Sequence, residues 1–349
     1  MNGLILFSGV VFLLWLGRVI LIPLLVATFL WYLINAISAY CRKILPFRDD
    51  AARTQHSFLS VLFDWLANCI GIGALVGLVC LFIVQVRPMF LELVVALPAI
   101  QNKLVDLGVM LSHTIGIKFD MSMIPNVAKM ATNVGVSLAG MATTIGMIVI
   151  YLLFMFVEQT TFDKKFSALF PNRSQSKKMR YIVDSIDTNM KKYLFMKTFI
   201  SGATGILAYL WLHFLGLEFA GVWAFIVFIT SYIPTIGAII ACSLPILYSL
   251  AVSPNLQTPV LVAAGLIGLQ ILLANIIEPK LTGKTLNLST LAILINLVFW
   301  GLLWGVAGMF FSVPLLVATF IITAQFDSTR WIAVLLSADG TIPDKRESE

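Results

Sequence analysis

Long apolar runs, separated by short polar segments, make up most of the chain. Several of the runs reach or exceed the roughly 20 residues that a helix needs to cross the hydrocarbon core of a bilayer. The pattern therefore predicts an all-α polytopic membrane protein with about eight transmembrane helices, some of them broken or re-entrant. The apolar runs cover residues 3–40, 57–86, 135–157, 199–253, 260–277 and 291–322.

Proline and glycine divide several of these runs. Arg18 and Pro23 split residues 3–40, which predicts a retained helical hairpin at the amino terminus. Within 199–253, residues 216–221 and 231–237 form two dividers, and the second holds a proline and a glycine that favour a broken or re-entrant helix. Those two residues are Pro234 and Gly237.

Hydroxyl side chains surround the second divider. Together with carbonyls freed by the break, they are candidates for holding a cation or a small polar solute. The alternative is that they satisfy the hydrogen bonds of the interrupted backbone. The candidate residues are Thr230, Ser231 and Thr235.

A charged segment at 275–288 lies between two strongly apolar runs. Pro279 and Gly283 predict that the helix breaks there, because proline disfavours helix at the preceding residue and glycine permits a left-handed turn. Ionisable groups beside a helix break at membrane depth are costly and suggest function. The candidate transport residues of this segment are Asn275, Glu278, Lys280 and Lys284.

We expect Glu278 to respond to a proton or cation, with Lys280 or Lys284 neutralising it in one state. The alternative is that the charges only cap helices at the cytoplasmic face, where charge is inexpensive. The run after this segment, 291–322, is too long for one ordinary span, which predicts a tight helical hairpin. Three small residues would let its arms pack closely: Gly301, Gly305 and Gly308.

Four domains are predicted from these patterns. Residues 1–86 form amino-terminal transmembrane helices, 87–134 an amphipathic helical segment outside the membrane, 135–326 the transport core, and 327–349 a polar tail that is flexible beyond Ser337. An apolar stripe from Phe90 to Leu111 in the second domain is expected to pack on a partner subunit, to pack on its own bundle, or to lie on the membrane surface.

A basic segment at 158–198 sets the orientation of the chain. It predicts a basic amphipathic helix at the anionic cytoplasmic surface, ahead of the next span. Basic loops are retained in the cytoplasm, so the amino terminus is also expected there.

Composition narrows the class further. Hydrophobic residues make up 60% of the chain and charged residues 11%, with a mean hydropathy of +0.97, far from the roughly 25% charged residues of soluble domains. The net charge of +6 is concentrated in a few loops, so nucleic-acid binding is not expected. The scattered histidines and cysteines predict no metal site, and no cofactor or enzymatic activity is expected.

Four groups of residues resemble the bacterial autoinducer-2 exporter (AI-2E) family of membrane transporters. The strongest is the charged segment, followed by the tryptophan- and glycine-rich turn and by two shorter motifs. They are Asn275-x-x-Glu-Pro-Lys-Leu-x-Gly-Lys-x-Leu-x-Leu-Ser289, Phe299-Trp-Gly-x-x-Trp-Gly-x-x-Gly-Met309 with Val313-Pro-Leu, Pro234-x-x-Gly237, and Pro23-Leu-Leu with Tyr32-Leu-Ile-Asn35.

The resemblance implies a homo-oligomeric, pentameric transporter of the bacterial inner membrane. Its substrate would be a small molecule or an ion, and its surroundings a lipid bilayer. The resemblance implies a secondary exporter of a small solute of the autoinducer-2 type or a Na⁺(K⁺)/H⁺ antiporter. An alternative of another class is a non-transporting membrane scaffold that holds partners through the apolar stripe or the basic amphipathic helix. No Walker motif is present in the chain, so an exporter would draw on an ion or solute gradient.

Overall fold

The protein is built from α-helices, as the hydropathy pattern predicts. A computed structural model describes residues 2–44, separate positions between 84 and 109, and the segments 127–282 and 287–342. The helices are α1 (Asn2–Leu16), α2 (Arg18–Ile44), α3 (Val127–Gln159), α4 (Phe162–Leu169), α5 (Arg173–Phe214), α6 (Ala220–Thr230), α7 (Ile236–Val252), α8 (Gln257–Gln270), a π-helix (Ile271–Ile277), α9 (Glu278–Thr282), α10 (Thr290–Ala324) and α11 (Arg330–Leu336).

Four helical stretches of the described chain are long and apolar enough to cross a membrane. A fifth is added if Thr143–Gln159 and Phe162–Leu169, which meet at a bend of 68°, form one broken span. The all-α polytopic class is thus confirmed, while about eight crossings remains a prediction. The predicted span at 57–86 lies outside the described residues. The four stretches are Arg18–Asn35, Arg173–Phe214, Gln257–Leu281 and Thr290–Ala324.

The chain divides into two compact units, which differ from the four domains predicted from the sequence. The first contains the described parts of Met1–Leu75, Thr143–Met196 and Thr282–Glu349, and the second those of Val76–Ala142 and Lys197–Leu281. Helix α5 contributes its basic first half to one unit and its apolar second half to the other.

Apolar packing holds each unit together. In the second unit, buried residues of α5 to α8, among them Leu212, Val227 and Leu266, form one cluster. Ile100 of the predicted amphipathic stripe belongs to this cluster, so that position packs on its own bundle. The other stripe positions named from the sequence lie outside the described residues. In the first unit, Met190 of α5 packs on Val317 of α10.

Helix α5 includes both the predicted basic helix and the apolar span that follows it. It runs without interruption for 42 residues, so the two are not separate helices. Nothing in the basic segment breaks it, because neither glycine nor proline occurs between Arg173 and Ser201. The placement of the basic helix at the membrane surface stays a prediction.

The amino-terminal division lies at Gly17 rather than at Arg18 and Pro23. The Gly17 amide donates to the Leu13 carbonyl, and the Leu21 amide donates to the Gly17 carbonyl. Pro23 lies inside α2, within its second turn, where proline has no amide to donate to the Val19 carbonyl.

Helix α10 is a hairpin, as predicted. Gly305 has φ 64° and ψ −141°, which reverses the chain, and the Asn296 side-chain amide donates to the Ser312 carbonyl at 2.6 Å. A straight helix would separate these two residues by roughly 24 Å. Gly308 packs against the Trp300 carbonyl and Gly301 against the Met309 side chain. Gly305 has open space around it, so it supplies the turn and not the predicted packing.

The tail corrects the prediction of a flexible segment beyond Ser337. Leu288 and Ser337 form an antiparallel bridge, and the Asn287 side chain donates to Asp339 and to Thr341. We call this contact the tail clasp. It attaches the end of the chain to the residues that open α10.

The tail clasp should loosen in acid. Hydrogen bonds from Thr341 and Asn287 lower the pKa of Asp339 to about 2, below its ordinary value near 4. A depressed pKa means that the clasp is stabilised above pH ~4 and that this contribution is lost as the pH falls through about 2. A spin label at position 338, which lies in the clasp and has an exposed side chain, should gain mobility over that range in a variant without other cysteines. Asp339→Ala should be mobile at every pH, and a label equally immobile in Asp339→Ala would contradict the assignment.

Candidate functional site

A buried ion pair joins two apolar helical segments of the second unit. The Lys197 ammonium of α5 donates to Glu278 Oε1 at 2.6 Å, and the two side chains are 9% and 24% exposed. Other ion pairs between described residues are much more open, for example Arg180–Asp163 at 50% and 79% exposure. Among the ion pairs of the described residues, Lys197–Glu278 is therefore the least exposed to water.

Sequence reasoning selected Glu278 and missed its partner. Lys197 was assigned to the basic segment, yet it continues the apolar stripe of α5 that includes Met190 and Leu194, at helical spacings of three and seven. A lysine on a face that is otherwise buried is the signal that would have identified it.

The other predicted charges do not join the pair. Lys280 and Asn275 are exposed, and neither contacts Glu278. Lys284 and Gly283 lie outside the described residues. In this structure the partner of Glu278 comes from α5, 81 residues away in the chain. Neutralisation of Glu278 by Lys280 or Lys284 in another state stays a prediction.

The helix does not break at Glu278, contrary to the prediction from Pro279. Glu278 is helical at φ −55° and ψ −50°, and α9 continues to Thr282. The π-helix ends at Ile277, two residues before Pro279, and the Glu278 amide donates to the Leu273 carbonyl. The wider π turn moves backbone carbonyls away from their α-helical positions, so the proline ring is accommodated without a chain break.

The π-helix interrupts regular α-helical geometry within the site. Single π turns inside α-helices are uncommon and are frequent at functional sites. The seven residues Ile271–Ile277 place this turn immediately before Glu278. A change between π and α geometry would rotate Glu278 relative to α8, so this turn is a natural point for movement.

The break between α6 and α7 is confirmed at residues 231–235. Gly237 is essential there, because a Cβ at that position would lie 1.8 Å from the Thr230 carbonyl oxygen. Thr235 has a φ of 56°, an unfavourable value for a β-branched residue. Pro234 lies within the break and follows Ile233, which is buried.

The hydroxyl groups at the break bond to their own helix. Thr230 Oγ1 donates to the Ile226 carbonyl at 2.6 Å, and Ser231 Oγ donates to the Val227 carbonyl at 2.6 Å. Thr235 is exposed. The hydrogen bonds of Thr230 and Ser231 match the alternative in which the hydroxyl groups bond to the carbonyls of the interrupted backbone. They do not point the three side chains toward a shared ligand position.

A hydrogen bond connects the α6–α7 break to α5, the helix that carries Lys197. The buried Tyr232 hydroxyl lies 2.9 Å from Thr198 Oγ1, and Thr198 is adjacent to Lys197 on α5. The pair, the π-helix and the α6–α7 break thus meet at one level of α5. Among the described residues, no group of three His, Cys, Asp or Glu side chains is arranged to hold a metal ion.

Comparison with known proteins places the chain among membrane transporters. Residues 4–328 match the sequence profile of AI-2E family transporters. The chain belongs to the AI-2E transporter family. That match includes α1 to α10 and therefore both partners of the ion pair.

Curated relatives are about a third identical to the chain over the part of each sequence that aligns. The AI-2 transport protein TqsA of Escherichia coli K12 is 35% identical over 214 residues, 61% of each chain. A provisionally assigned transport protein of Haemophilus influenzae is 33% identical over 226 residues, 64% of each chain. Another such protein, from Borreliella burgdorferi, is 34% identical over 54% of this chain and 52% of its own. The aligned part thus spans less than two thirds of each relative.

Proposed function

We propose that the protein is a secondary transporter that exports a small polar solute of the autoinducer-2 type across a bacterial inner membrane. The observation that carries the proposal is the buried Lys197–Glu278 pair next to the π-helix. Membership of the AI-2E family supports transport, and the name of TqsA, an AI-2 transport protein, supports the solute class.

In this proposal the ion pair couples transport to an ion gradient. A proton or a cation that reaches Glu278 removes its attraction for Lys197, and the lysine then becomes an unpaired buried charge. The protein relieves that cost by shifting to a second arrangement in which Lys197 reaches water or the solute. The π-helix is the element proposed to move, because it adjoins Glu278 and has an alternative α geometry.

A Na⁺(K⁺)/H⁺ antiporter is the second candidate. The observation that favours it is that Glu278 pairs with a lysine ammonium, which carries a single positive charge. Sodium, potassium or a proton could take the place of this charge beside the carboxylate in turn. The other proposed features follow from sequence and resemblance. They are a cytoplasmic amino terminus, on the same side as the basic segment of α5, and a pentameric homo-oligomer.

Ion-driven flux in proteoliposomes tests this proposal. Vesicles would carry an internal pH dye or labelled autoinducer-2 furanone, with imposed sodium, potassium or proton gradients. We expect wild type to show flux that depends on an ion gradient and Glu278→Gln to lose more than 90% of that dependence, since the amide cannot bind a proton or attract a cation.

Glu158→Gln is the matched control, because Glu158 forms an exposed pair with Lys165 and should keep wild-type flux. Loss of furanone efflux alone would favour the exporter, and loss of cation-dependent proton movement alone would favour the antiporter. Unchanged transport in Glu278→Gln would refute the coupling role. Absence of any flux in wild type would favour the non-transporting scaffold.

A further inference from the structure

Two contacts fix α5 against the chain from α8 to α9. At one end Lys197 pairs with Glu278, and at the other the Trp211 indole N–H donates to the Leu261 carbonyl at 3.1 Å. Residue numbers rise along α5 while those of the partner fall, so the two segments lie antiparallel. Gly265 allows this approach, because a Cβ there would lie 1.9 Å from Trp211 Nε1.

Polar side chains occur on both segments between these two contacts. On α5, Ser201 and Thr204 lie one and two turns beyond Lys197, and both are buried. On the partner, Gln270 ends α8 directly before the π-helix. At 1.5 Å per residue of α-helix, Ser201 stands roughly 6 Å from the level of Lys197, on the Trp211 side. Gln270 lies on the same side of Glu278 and is separated from it by the π-helix.

Two of these polar groups have no hydrogen-bond partner within the described chain. Ser201 Oγ belongs to a side chain that is 0% exposed, and Gln270 Nε2 is also buried. Thr204 differs, because its hydroxyl donates to the Ile200 carbonyl of its own helix at 2.8 Å. Buried polar groups are nearly always paired, so two unpaired ones at neighbouring levels call for a ligand.

We propose that Ser201 and Gln270 form a binding position for a neutral hydroxylated solute, next to the Lys197–Glu278 pair. This inference rests on the proposed transport function and names the chemistry of its solute site. The free group of Gln270 is an N–H donor, which requires an oxygen acceptor from the ligand. The Ser201 hydroxyl both donates and accepts, which suits a ring oxygen or a hydroxyl of the same molecule.

The small number of oxygen atoms separates this solute class from a bare metal cation. Ser201 and Gln270 are neutral and supply at most two oxygen ligands, whereas hard cations such as calcium and magnesium take about six or more. A solute that carries both a hydroxyl and a ring oxygen could bond both side chains. The ion pair would then sense the gradient while the two neutral groups recognise the solute.

The test is efflux of labelled autoinducer-2 furanone from proteoliposomes, with proton movement followed in the same preparations. Ser201→Ala and Gln270→Leu should each raise the half-saturating furanone concentration about tenfold, equivalent to ~1.4 kcal/mol. Both variants should keep the ion-gradient response that depends on Glu278.

Each variant has a matched control in the same unit. Ser249→Ala removes a fully buried hydroxyl that is already bonded to the Ile246 carbonyl, and Gln257→Leu makes the same exchange at an exposed position of α8. Both controls should keep wild-type furanone affinity. Because Ser201→Ala removes an unpaired buried group, its unfolding temperature should not fall below that of Ser249→Ala.

The outcomes distinguish the two proposals. Tenfold losses confined to Ser201→Ala and Gln270→Leu support the binding position. Furanone efflux that is the same in these variants as in their controls overturns it and leaves the transport function standing. Wild-type vesicles that move ions but not the furanone overturn the hydroxylated-solute assignment, and vesicles that move neither overturn the proposed function as well.

Discussion

Lys197→Met should lower the free energy of unfolding by about 2–4 kcal/mol. Removing one partner of a buried ion pair typically costs about 3–5 kcal/mol, because it leaves the other charge without compensation. Glu278 keeps 24% of its side chain exposed, which lets water offset part of that cost. Unfolding in a detergent micelle, followed by circular dichroism against increasing sodium dodecyl sulfate, measures the change.

The double variant Lys197→Met/Glu278→Gln is the decisive control for stability. It removes both charges together, so that neither is left buried without compensation, and an amide at the partly exposed position of Glu278 can still hydrogen-bond to water. We expect it to unfold near wild type. Lys191→Met, which removes an exposed i,i+4 pair with Asp187, should cost less than about 1 kcal/mol. A Lys197→Met protein as stable as Lys191→Met would show that Glu278 is not confined as the structure indicates.

Gly308→Ala should open the α10 hairpin and cost about 3 kcal/mol or more. An added Cβ would lie 2.0 Å from the Trp300 carbonyl oxygen and 3.0 Å from the Trp304 Cβ, so the two arms must separate. Separation stretches the Asn296–Ser312 hydrogen bond between the arms. Overpacking of this kind costs about 1–3 kcal/mol, and here a backbone atom cannot move aside as a side chain would.

Cross-linking measures the hairpin directly. Cysteines at positions 296 and 312, in a variant without other cysteines, should be joined by a short cross-linker in the parent and much less in Gly308→Ala. Gly146→Ala is the matched control, because Gly146 lies in α3 with open space around it. Equal cross-linking in all three proteins would contradict the close approach at Gly308.

Sequence patterns predicted much of the fold because lipid imposes a simple rule on it. A run of about 20 apolar residues must be helical, and glycine or proline within a run predicts where it divides. The break at residues 231–235 and the hairpin of α10 followed from that rule, although Gly305 was predicted to pack and instead forms the turn. Pro279 did not produce a break, because the π-helix before it removes the steric conflict on which the prediction relied.

The sequence identified only one of the two partners in the candidate site. Glu278 stands out as a carboxylate between apolar runs, whereas Lys197 is hidden among nearby basic residues of the same helix. Lys197 and Glu278 are 81 residues apart, so their pairing depends on how α5 packs against the segment from α8 to α9. A single sequence does not show which distant residues are in contact. The tail clasp was missed for the same reason, since short polar segments resemble flexible ends until their partners are known.

The central claim is that the Lys197–Glu278 pair couples transport to an ion gradient, and the double variant Lys197→Met/Glu278→Gln tests it most directly. Its stability is expected to match wild type, so a loss of transport cannot be attributed to unfolding. Reconstituted in vesicles with an imposed cation or proton gradient, it should show no ion-dependent flux of solute or protons. Ion-dependent flux at the wild-type rate from this variant would contradict the claim.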